Sequence, residues 1–319
     1  MFLRKLVSVI GREKGFHSTK ALLEAAIIDG NNIAKQIEKE VRTSVESWIK
    51  SGKRRPKLVA IIVGDDPASK VYVSRKVKVA KAVGIDAETI TFDKSISQKH
   101  LLKAIENLNK DTSVDGILVQ LPIPKSINER EICEAVTPAK DVDGFHSENM
   151  GKLSVDNDSI VPATALGVIE LIQRTKVDTF GKNAVVIGRS KHVGLPIALL
   201  LHSDSKGVSG ALDMTTTICH RHTPPEELKK FTRLADVVVA AAGVPGLVKK
   251  DMVKPGACVI DVGITRVDTE SGQKLLGDVD YESVKEIAGH ITPVPGGVGP
   301  MTVVMLMKNT LKAARKNQS

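Results

Sequence analysis

The stretch NAVVIGRSKHVGLPIALLLH, residues 183–202, joins a short apolar run to a glycine-containing turn and then to an apolar helix. A strand that enters such a turn and helix is typical of Rossmann domains, in which turn amides and the helix N-terminus receive a pyrophosphate. The motif is not the standard one, since Ser190 stands at the second glycine position and three residues separate it from Gly194. The stretch predicts a dinucleotide-binding turn that includes Gly188, Ser190 and Gly194.

Apolar runs on both sides of this stretch extend the pattern. Strands are predicted at 215–219, 237–241 and 258–262 after it, and at 58–63, 87–92 and 116–120 in the first half of the chain, with amphipathic helices between them. Strands that alternate with helices at this spacing predict parallel sheets with helical crossovers. The predicted fold class is therefore α/β, with two α/β domains around a cleft, the second of Rossmann type, and a C-terminal helix that returns to the first.

The predicted helix after strand 58–63 carries Ser69, Tyr72 and Lys76. Tyr72 and Lys76 stand four apart on one face and Ser69 lies one turn earlier, so a hydroxyl, a phenol and an amine share one wall. This wall is suited to a flat polar substrate and to proton transfer. The alternative is a solvated face, because other lysines lie nearby and lysine-rich helix surfaces are common.

Two polar side chains follow the next elements of the first domain. Gln120 ends strand 116–120, and Asp143 lies in the turn DVDGFH that starts at Asp141. Ligands of open parallel sheets collect beyond the carboxyl ends of strands, where a carboxamide and a carboxylate can hydrogen-bond a heterocycle. Each side chain taken singly is equally well explained as a turn cap, and Asp141 is the expected cap of its turn.

The end of strand 215–219 lacks the acidic residue that NAD-selective Rossmann domains place there, and carries Arg221 instead. Arg221 and Arg189 can form a pocket for the 2′-phosphate of NADP or for a free anion beside NAD, or they are two solvated arginines. Asp213, at the end of an insertion-like segment 203–214, is either a salt-bridge partner or a ligand of Mg²⁺ that bridges to phosphate.

A further motif, TPVPGGVGPMT at 292–302, is a constrained loop that exposes its backbone before a helix. Pro295, Gly296 and Gly297 lie at its centre, and such a loop lets a ligand approach the main chain closely.

The composition of the 319 residues excludes several classes of protein. No apolar run approaches the roughly 20 residues of a membrane helix, and three scattered cysteines give neither a disulfide framework nor a zinc site. The net charge of +9 allows a nucleic-acid-binding protein, but aromatic residues make up only 3% of the chain and the charge is diffuse, which argues against that class.

The first 20 residues hold five basic residues and one acid among serines, threonine and apolar residues. This pattern predicts a mitochondrial transit peptide over residues 1–21; the alternative is a basic disordered tail.

Seven motifs together resemble those of the bifunctional methylenetetrahydrofolate dehydrogenase/cyclohydrolase family, and the resemblance covers essentially the whole chain after residue 22. The motifs lie at 72–76, 119–122, 141–144, 188–196, 261–264, 277–279 and 293–302. The segment 203–214 and Arg221 make it most similar to the mitochondrial branch, and within it to the second, "2-like" form. The resemblance implies oxidation of 5,10-methylenetetrahydrofolate and hydrolysis of the methenyl product to 10-formyltetrahydrofolate, in the mitochondrial matrix or at the matrix side of the inner membrane. A dehydrogenase without cyclohydrolase activity is the alternative that Lys76 and Gln120 argue against.

The resemblance also implies roles for residues. Lys76 is the expected acid/base, Tyr72 stacks on the folate ring and positions Lys76, Gln120 binds Lys76 or folate, and Asp143 binds the pterin. The implied substrate contacts are Ser69, Tyr72, Gln120, Leu121, Asp143, Pro295, Gly296 and Gly297. The implied cofactor contacts are Thr164, Gly188, Arg189, Ser190, Gly194, Arg221, Ala242, Gly243 and Ile264.

In the mitochondrial branch, the arginines that match Arg189 and Arg221 hold inorganic phosphate, and the acid that matches Asp213 helps to bind Mg²⁺, so that NAD is used. The resemblance therefore implies NAD, with NADP as a further cofactor, together with Mg²⁺ and phosphate. It also implies a homodimer and a folate substrate with or without a polyglutamate tail, and gives no reason to expect nucleic acid or a membrane segment. The expected domains are a folate-binding domain at 22–161, a Rossmann domain at 162–291, and a loop and helix at 292–319 that pack on the first domain.

Overall fold

The computed structural model describes residues 24–269 and 272–318. The predicted transit peptide at 1–21 lies outside them. In chain order, the elements of the first half are β1 (Ala26–Ile27), α1 (Gly30–Lys50), β2 (Lys57–Val63), α2 (Pro67–Ala82), β3 (Asp86–Phe92), α3 (Gln98–Lys110), β4 (Gly116–Val119), α4 (Glu129–Ala135), α5 (Ser147–Ser154) and α6 (Ala163–Thr175). The second half contains β5 (Asn183–Ile187), α7 (Gly194–His202), β6 (Thr215–Cys219), α8 (Pro225–Leu234), β7 (Val237–Ala240), a 3₁₀ helix (Lys250–Met252), β8 (Cys258–Asp261), β9 (Thr265–Thr269), β10 (Gly272–Leu276), α9 (Tyr281–Val284), β11 (His290–Ile291) and α10 (Val298–Asn317).

Parallel strands form the sheet of the first domain. Within the described residues this sheet has the order β3-β2-β4, and β2 is buried from Leu58 to Val63 because α/β crossovers cover both of its faces. Ridges of α1 supply Ile37, Val41 and Val45 to the core. The carboxyl ends of β2 and β4 lie side by side, since Ile61 pairs with Val119.

The second domain contains a parallel sheet of order β1-β11-β8-β7-β5-β6 within the described residues. β5, β7 and β8 are almost entirely apolar and buried, as central parallel strands are. The two-domain α/β fold with a Rossmann-type second domain is thus confirmed.

Two short segments depart from the sequence-based boundaries. Ala26 and Ile27 pair with β11 and so extend the second sheet, although the first domain was expected to begin at residue 22. A two-residue strand is too short to give a period-2 pattern, which explains why the sequence did not indicate it. The helix α6 begins at Ala163, one residue after the expected domain boundary, so Thr164 lies in its first turn.

The helix α10 follows both sheets in the chain but packs on helices of the first half. It contacts α1 and α2 of the first half and α6, which leads into the second. Most of its residues from Val298 to Ala314 are buried, so this helix closes the core of the first domain and ties it to α6.

Among the described residues, no helix combines the length and apolar content needed to cross a bilayer.

Candidate active site

The position of Lys76 follows from the register of α2. Asp66 caps this helix by accepting a hydrogen bond from the Ser69 amide (2.8 Å). Ser69, Val73, Lys76 and Ala80 then recur every three or four residues and form the buried face of α2. Lys76 is only 4% exposed. The other lysines considered from the sequence, Lys70, Lys78 and Lys81, are exposed.

The contacts of Lys76 cross from α2 to the end of β4. Lys76 Nζ donates a hydrogen bond to Gln120 Oε1 (3.1 Å) and lies 4.6 Å from the centroid of the Tyr72 ring. Gln120 is held in turn by its own Nε2, which donates to the Leu121 carbonyl (2.6 Å). The structure therefore assembles Tyr72, Lys76 and Gln120 at the carboxyl edge of the first sheet.

Asp143 is half-buried and interacts electrostatically with this cluster. Burial raises the pKa of Asp143 to about 6, an effect that the Lys76 charge opposes. Burial also lowers the pKa of Lys76, and the negative charge of Asp143 opposes that shift. The pKa of Tyr72 is raised to about 12, chiefly by burial and then by Asp143. Desolvation thus favours neutral forms of all three groups.

The turn that carries Asp143 is fixed by Asp141. The carboxylate of Asp141 accepts hydrogen bonds from the amides of Gly144 (3.1 Å) and His146 (2.8 Å) and from Nδ2 of Asn149 (3.0 Å). Asp141 therefore caps the turn, as the sequence predicted, and leaves Asp143 available to the cleft.

A second support of this turn was not indicated by the sequence. The buried side chain of Asn309, in α10, donates through Nδ2 to the carbonyls of Val142 and Val161, both at 2.9 Å. One carboxamide thereby ties the residue next to Asp143 to the segment that leads into the second domain. An asparagine within an apolar helix gives no sequence signal for such a distant contact.

The loop 292–302 lies against the start of α1. The Asn31 amide donates to the Gly296 carbonyl (3.1 Å), and a Cβ on Gly30 would overlap the Gly297 carbonyl. Gly296 has φ +112°, a conformation that side chains rarely adopt. The hydroxyl of Thr302 lies 3.3 Å from that of Thr164, at the first turn of α6. The backbone of Pro295, Gly296 and Gly297 is thus held between α1 and α10.

The turn after β5 has the close packing expected of a dinucleotide site. A Cβ on Gly188, whose φ is +134°, would overlap the Ala241 carbonyl, and a Cβ on Gly194 would overlap the Gly188 carbonyl. Ser190 Oγ accepts hydrogen bonds from the amides of Val193 (3.1 Å) and Gly194 (3.3 Å). The residues present therefore fit the close backbone approach that a pyrophosphate requires.

Two buried carboxylates organise the neighbouring turns, and the motifs that contain them, 261–264 and 277–279, indicated no role for either. Asp278 accepts hydrogen bonds from the amides of Ala242 (2.6 Å) and Gly243 (2.9 Å). Asp261 accepts from the amides of Gly263, Asp278 and Val279, each at 2.9 Å, while burial raises its pKa to about 6. These carboxylates fix the turns after β7 and β8, where Ala242, Gly243 and the exposed Ile264 lie.

Arg189 and Arg221 follow neighbouring strands, because Ile187 of β5 pairs with Cys219 of β6. Both are exposed, and neither has an ion-pair partner among the described residues. Two unpaired guanidinium groups at one edge of the sheet are suited to an anion.

Asp213 lies elsewhere, which differs from the expected grouping with the two arginines. It precedes β6, its carbonyl accepts from the Gly181 amide (2.9 Å), and its carboxylate accepts from the Ser205 amide (3.0 Å). A five-residue strand rises roughly 3.3 Å per residue, so about 15 Å separates the two ends of β6. The backbones of Asp213 and Arg221 therefore lie beyond opposite ends of β6.

The two domains meet across the cleft at His192. The His192 ring lies 4.1 Å from that of Phe145, centroid to centroid, and its Nε2 is 3.3 Å from Glu129 Oε1. Phe145 is two residues from Asp143 and His192 two residues from Ser190, so this contact brings the first-domain cluster and the dinucleotide turn to the same cleft.

Comparison with known proteins identifies both halves. Residues 28–143 match the catalytic domain of tetrahydrofolate dehydrogenase/cyclohydrolase, and residues 162–318 match its NAD(P)-binding domain. The mitochondrial bifunctional methylenetetrahydrofolate dehydrogenase/cyclohydrolase 2 of Homo sapiens is 56% identical over 95% of this chain and 88% of its own length.

Solved structures agree with this match. A 5,10-methylenetetrahydrofolate dehydrogenase from the silkworm Bombyx mori is 57% identical, with a TM-score of 0.87, over 92% of this chain and 98% of that one. The Trypanosoma brucei dehydrogenase-cyclohydrolase, solved with NADP and an inhibitor, is 38% identical, with a TM-score of 0.85, over 92% of this chain and 98% of that one.

The predicted mitochondrial location is confirmed by relatives at 56% identity, including those of Homo sapiens and Drosophila melanogaster, which are named mitochondrial. With both family models matched in order and more than half of its residues identical to these relatives, the chain belongs to the tetrahydrofolate dehydrogenase/cyclohydrolase family.

Proposed function

We propose that this protein oxidises 5,10-methylenetetrahydrofolate to the methenyl form with NAD(P) and then hydrolyses that product to 10-formyltetrahydrofolate. The observation that carries the proposal is the buried Lys76, hydrogen-bonded to Gln120 and facing Asp143, in a chain that matches both domains of a bifunctional family. A dehydrogenase without hydrolysis would have no need of this amine, because hydride transfer requires alignment rather than a protein acid or base.

In the first reaction, a hydride leaves the bridging methylene of the folate. Bound NAD(P) supplies the acceptor for that hydride. The chain holds the two reactants in the cleft: the amides fixed by Asp278 and the turn at Gly188 bind the dinucleotide side, and Gly296 and Gly297 bind the folate side through their backbone. Ser190 and Gly194 shape the turn, while Thr164 and Ile264 border the cofactor.

In the second reaction, the neutral amine of Lys76 accepts a proton from the water that attacks the methenyl carbon. The resulting ammonium gives its proton to folate N5 as the carbon–nitrogen bond breaks, and the hydroxyl of the tetrahedral intermediate loses its proton to solvent as the formyl C=O forms, so that one proton is released overall. This role requires a lysine pKa well below the roughly 10.4 of a free side chain, and burial shifts the pKa of Lys76 in that direction. The positive methenyl ring would lower it further.

The remaining residues of the cluster orient the folate. Tyr72 stacks on the ring and keeps Lys76 Nζ over its face, consistent with the 4.6 Å distance. Gln120 fixes Lys76, and Asp143 accepts hydrogen bonds from the pterin amino and ring NH groups. The substrate side chain, with or without a polyglutamate tail, lies along Ser69, Leu121 and Pro295.

For the cofactor, we propose that Arg189 and Arg221 hold inorganic phosphate beside the adenosine ribose when NAD is bound. Their exposed guanidinium groups at neighbouring strand ends support this. In the NADP complex, the 2′-phosphate would take the same position, so free phosphate should not assist NADP.

We propose separately that the protein binds Mg²⁺. Asp213 precedes β6, whereas Arg221 follows it, so the magnesium proposal is distinct from the proposal for the two arginines. Among the described residues there is no group of three histidine, cysteine or acidic side chains that could hold a metal ion. Asp213 is the residue that we propose to help bind the ion. An Asp213→Asn variant that keeps full stimulation by Mg²⁺ would remove Asp213 from the magnesium site.

We also propose a homodimer and the domain limits 22–161, 162–291 and 292–319, except that Ala26 and Ile27 belong to the sheet of the second domain. An edge strand supports the dimer: among the described residues β6 has no strand on its outer side, and its Ile218 is 39% exposed. Edge strands of this kind are natural sites of pairing between chains. Sedimentation equilibrium should give twice the chain mass, and Ile218→Lys should give the monomer; a wild-type monomer would contradict the proposal.

The decisive experiment measures the two activities separately. Reduced nicotinamide and methenyl folate are followed spectroscopically after 5,10-methylenetetrahydrofolate is added with NAD or NADP, each with and without phosphate and Mg²⁺. We expect both activities, with phosphate raising the NAD-linked rate and not the NADP-linked rate. A monofunctional dehydrogenase would instead reduce the nicotinamide and let the methenyl compound accumulate. That compound would then be hydrolysed only at its uncatalysed rate.

A further inference from the structure

A cavity of about 560 Å³ lies outside the cleft. It is bounded by α1, by the segment between α5 and α6, by α10 and by the segment between α7 and β6. The residues to which we assign roles in the reaction do not line it. Its volume falls within the roughly 300–1,000 Å³ of sites that bind small molecules, and Val41, Leu166 and Leu311 give it an apolar wall.

The charges of the cavity leave one cation available. Lys312 is paired with Asp158 and also donates to the Ser159 carbonyl (2.7 Å), and Glu40 is paired with Arg174 (3.0 Å). Lys308 faces Glu170 at 3.5 Å. Arg315, one turn beyond Lys312 on the same face of α10, has no carboxylate partner among the described residues.

We propose that this cavity is a second small-molecule site, which binds a small organic carboxylate with an apolar body. The guanidinium of Arg315 binds the carboxylate in the two-point geometry that carboxylates favour. The apolar body lies against Val41, Leu166 and Leu311. A carboxylate is favoured over a neutral ligand because the free cation is otherwise unmatched.

The test uses the full chain with saturating NAD, so that the dinucleotide turn is filled. Saturation-transfer NMR measures the dissociation constant of 3-phenylpropanoate, with 3-phenylpropanol as the uncharged analogue. We expect saturable binding of the acid, at least fivefold tighter than binding of the alcohol. Ser44→Trp, which fills the cavity from α1, should abolish this binding, whereas Thr43→Trp, one residue earlier on an exposed position, should retain it.

Arg315→Gln should weaken binding of the acid at least fivefold, and the matched exposed change Arg42→Gln should not. This pair decides the question if Ser44→Trp does not fold. Absence of saturable binding to the wild type, equal binding by the two tryptophan variants, or equal binding by the two glutamine variants would overturn the proposal. Because the readout is binding, the outcome is independent of both proposed activities.

Discussion

In the first domain, Lys76 is 4% exposed and already hydrogen-bonded to Gln120, whereas in the second domain Arg189 and Arg221 are exposed and have no ion-pair partner among the described residues. One site is assembled before its ligand arrives, and the other presents a rigid backbone with free side chains. The difference follows from the chemistry proposed for each. An acid/base needs a shifted pKa, which only burial and fixed neighbours provide, while anion binding needs amides and cations that a solvated surface can offer.

The largest effect expected from this contrast is that of Lys76→Met. Loss of a positioned acid/base typically costs about 10²- to 10⁴-fold, so methenyl hydrolysis should fall by that factor, with a much smaller effect on nicotinamide reduction. Stopped-flow assays of the two steps measure this. The exposed Lys78→Met, on the same helix, should leave both rates unchanged. Hydrolysis at the parental rate in Lys76→Met would mean that the buried lysine is structural only.

Arg221→Ala tests the exposed anion site of the second domain. Charge-assisted hydrogen bonds contribute about 1.5–3 kcal/mol, so the stimulation of the NAD-linked rate by phosphate should need at least tenfold more phosphate. Titration of phosphate at fixed NAD gives the value. Arg233→Ala removes an exposed arginine from α8 and serves as the control. An unchanged phosphate dependence would show that the exposed arginines are merely solvated.

The pH dependence of folate binding sharpens the contrast between buried and exposed groups. The pKa of Asp143 is raised to about 6, so below that pH the carboxyl becomes protonated and loses its capacity to accept from the pterin NH groups. We expect kcat/KM for the folate to fall as pH decreases through about 6, by up to tenfold per unit. An Asp143→Asn variant should be low and flat over this range. A wild-type profile that is also flat would contradict the assignment.

Removal of the Asn309 carboxamide should have the smallest effect on chemistry and a measurable effect on stability. In Asn309→Ala, the buried carbonyls of Val142 and Val161 lose their donor, at a cost of about 1–3 kcal/mol each. Tm should drop by several degrees, since roughly 2–4 °C corresponds to each kcal/mol in a domain of this size. Asn107→Ala, at an exposed position of α3 whose side chain makes no hydrogen bond among the described residues, is the control. Equal Tm values for the two variants would show that the Asn309 hydrogen bonds are dispensable.

The sequence predicts the features that depend on local pattern. The turn at Gly188 is predicted by a strand, a glycine and a helix in succession. The shared face of Tyr72 and Lys76 is predicted by helical spacing. The position of Gln120 near them is predicted because the carboxyl ends of parallel strands lie at the same edge of a sheet. Features that depend on distant segments were not predictable in this way. Asn309 and Asp278 act on backbone groups remote in sequence, and their own surroundings look like ordinary helix and loop.

Asp213 shows a different limit. It lies only eight residues before Arg221 in the sequence. The residues between them form β6, however, and the two ends of a strand are far apart. A strand was already predicted at 215–219. Its rise per residue, applied to the sequence, predicts that the backbones of Asp213 and Arg221 are separated by the length of that strand.

The position of α10 has a consequence for how the protein is made. Residues 298–317 cover the first domain by packing on α1 and α2, yet they follow both sheets in the chain. A growing chain, or one threaded through a membrane pore from its N-terminus, therefore exposes part of the first-domain core until the second domain has been completed. The first domain should mature after the second despite preceding it, and during that interval a holding chaperone would have an apolar surface to bind.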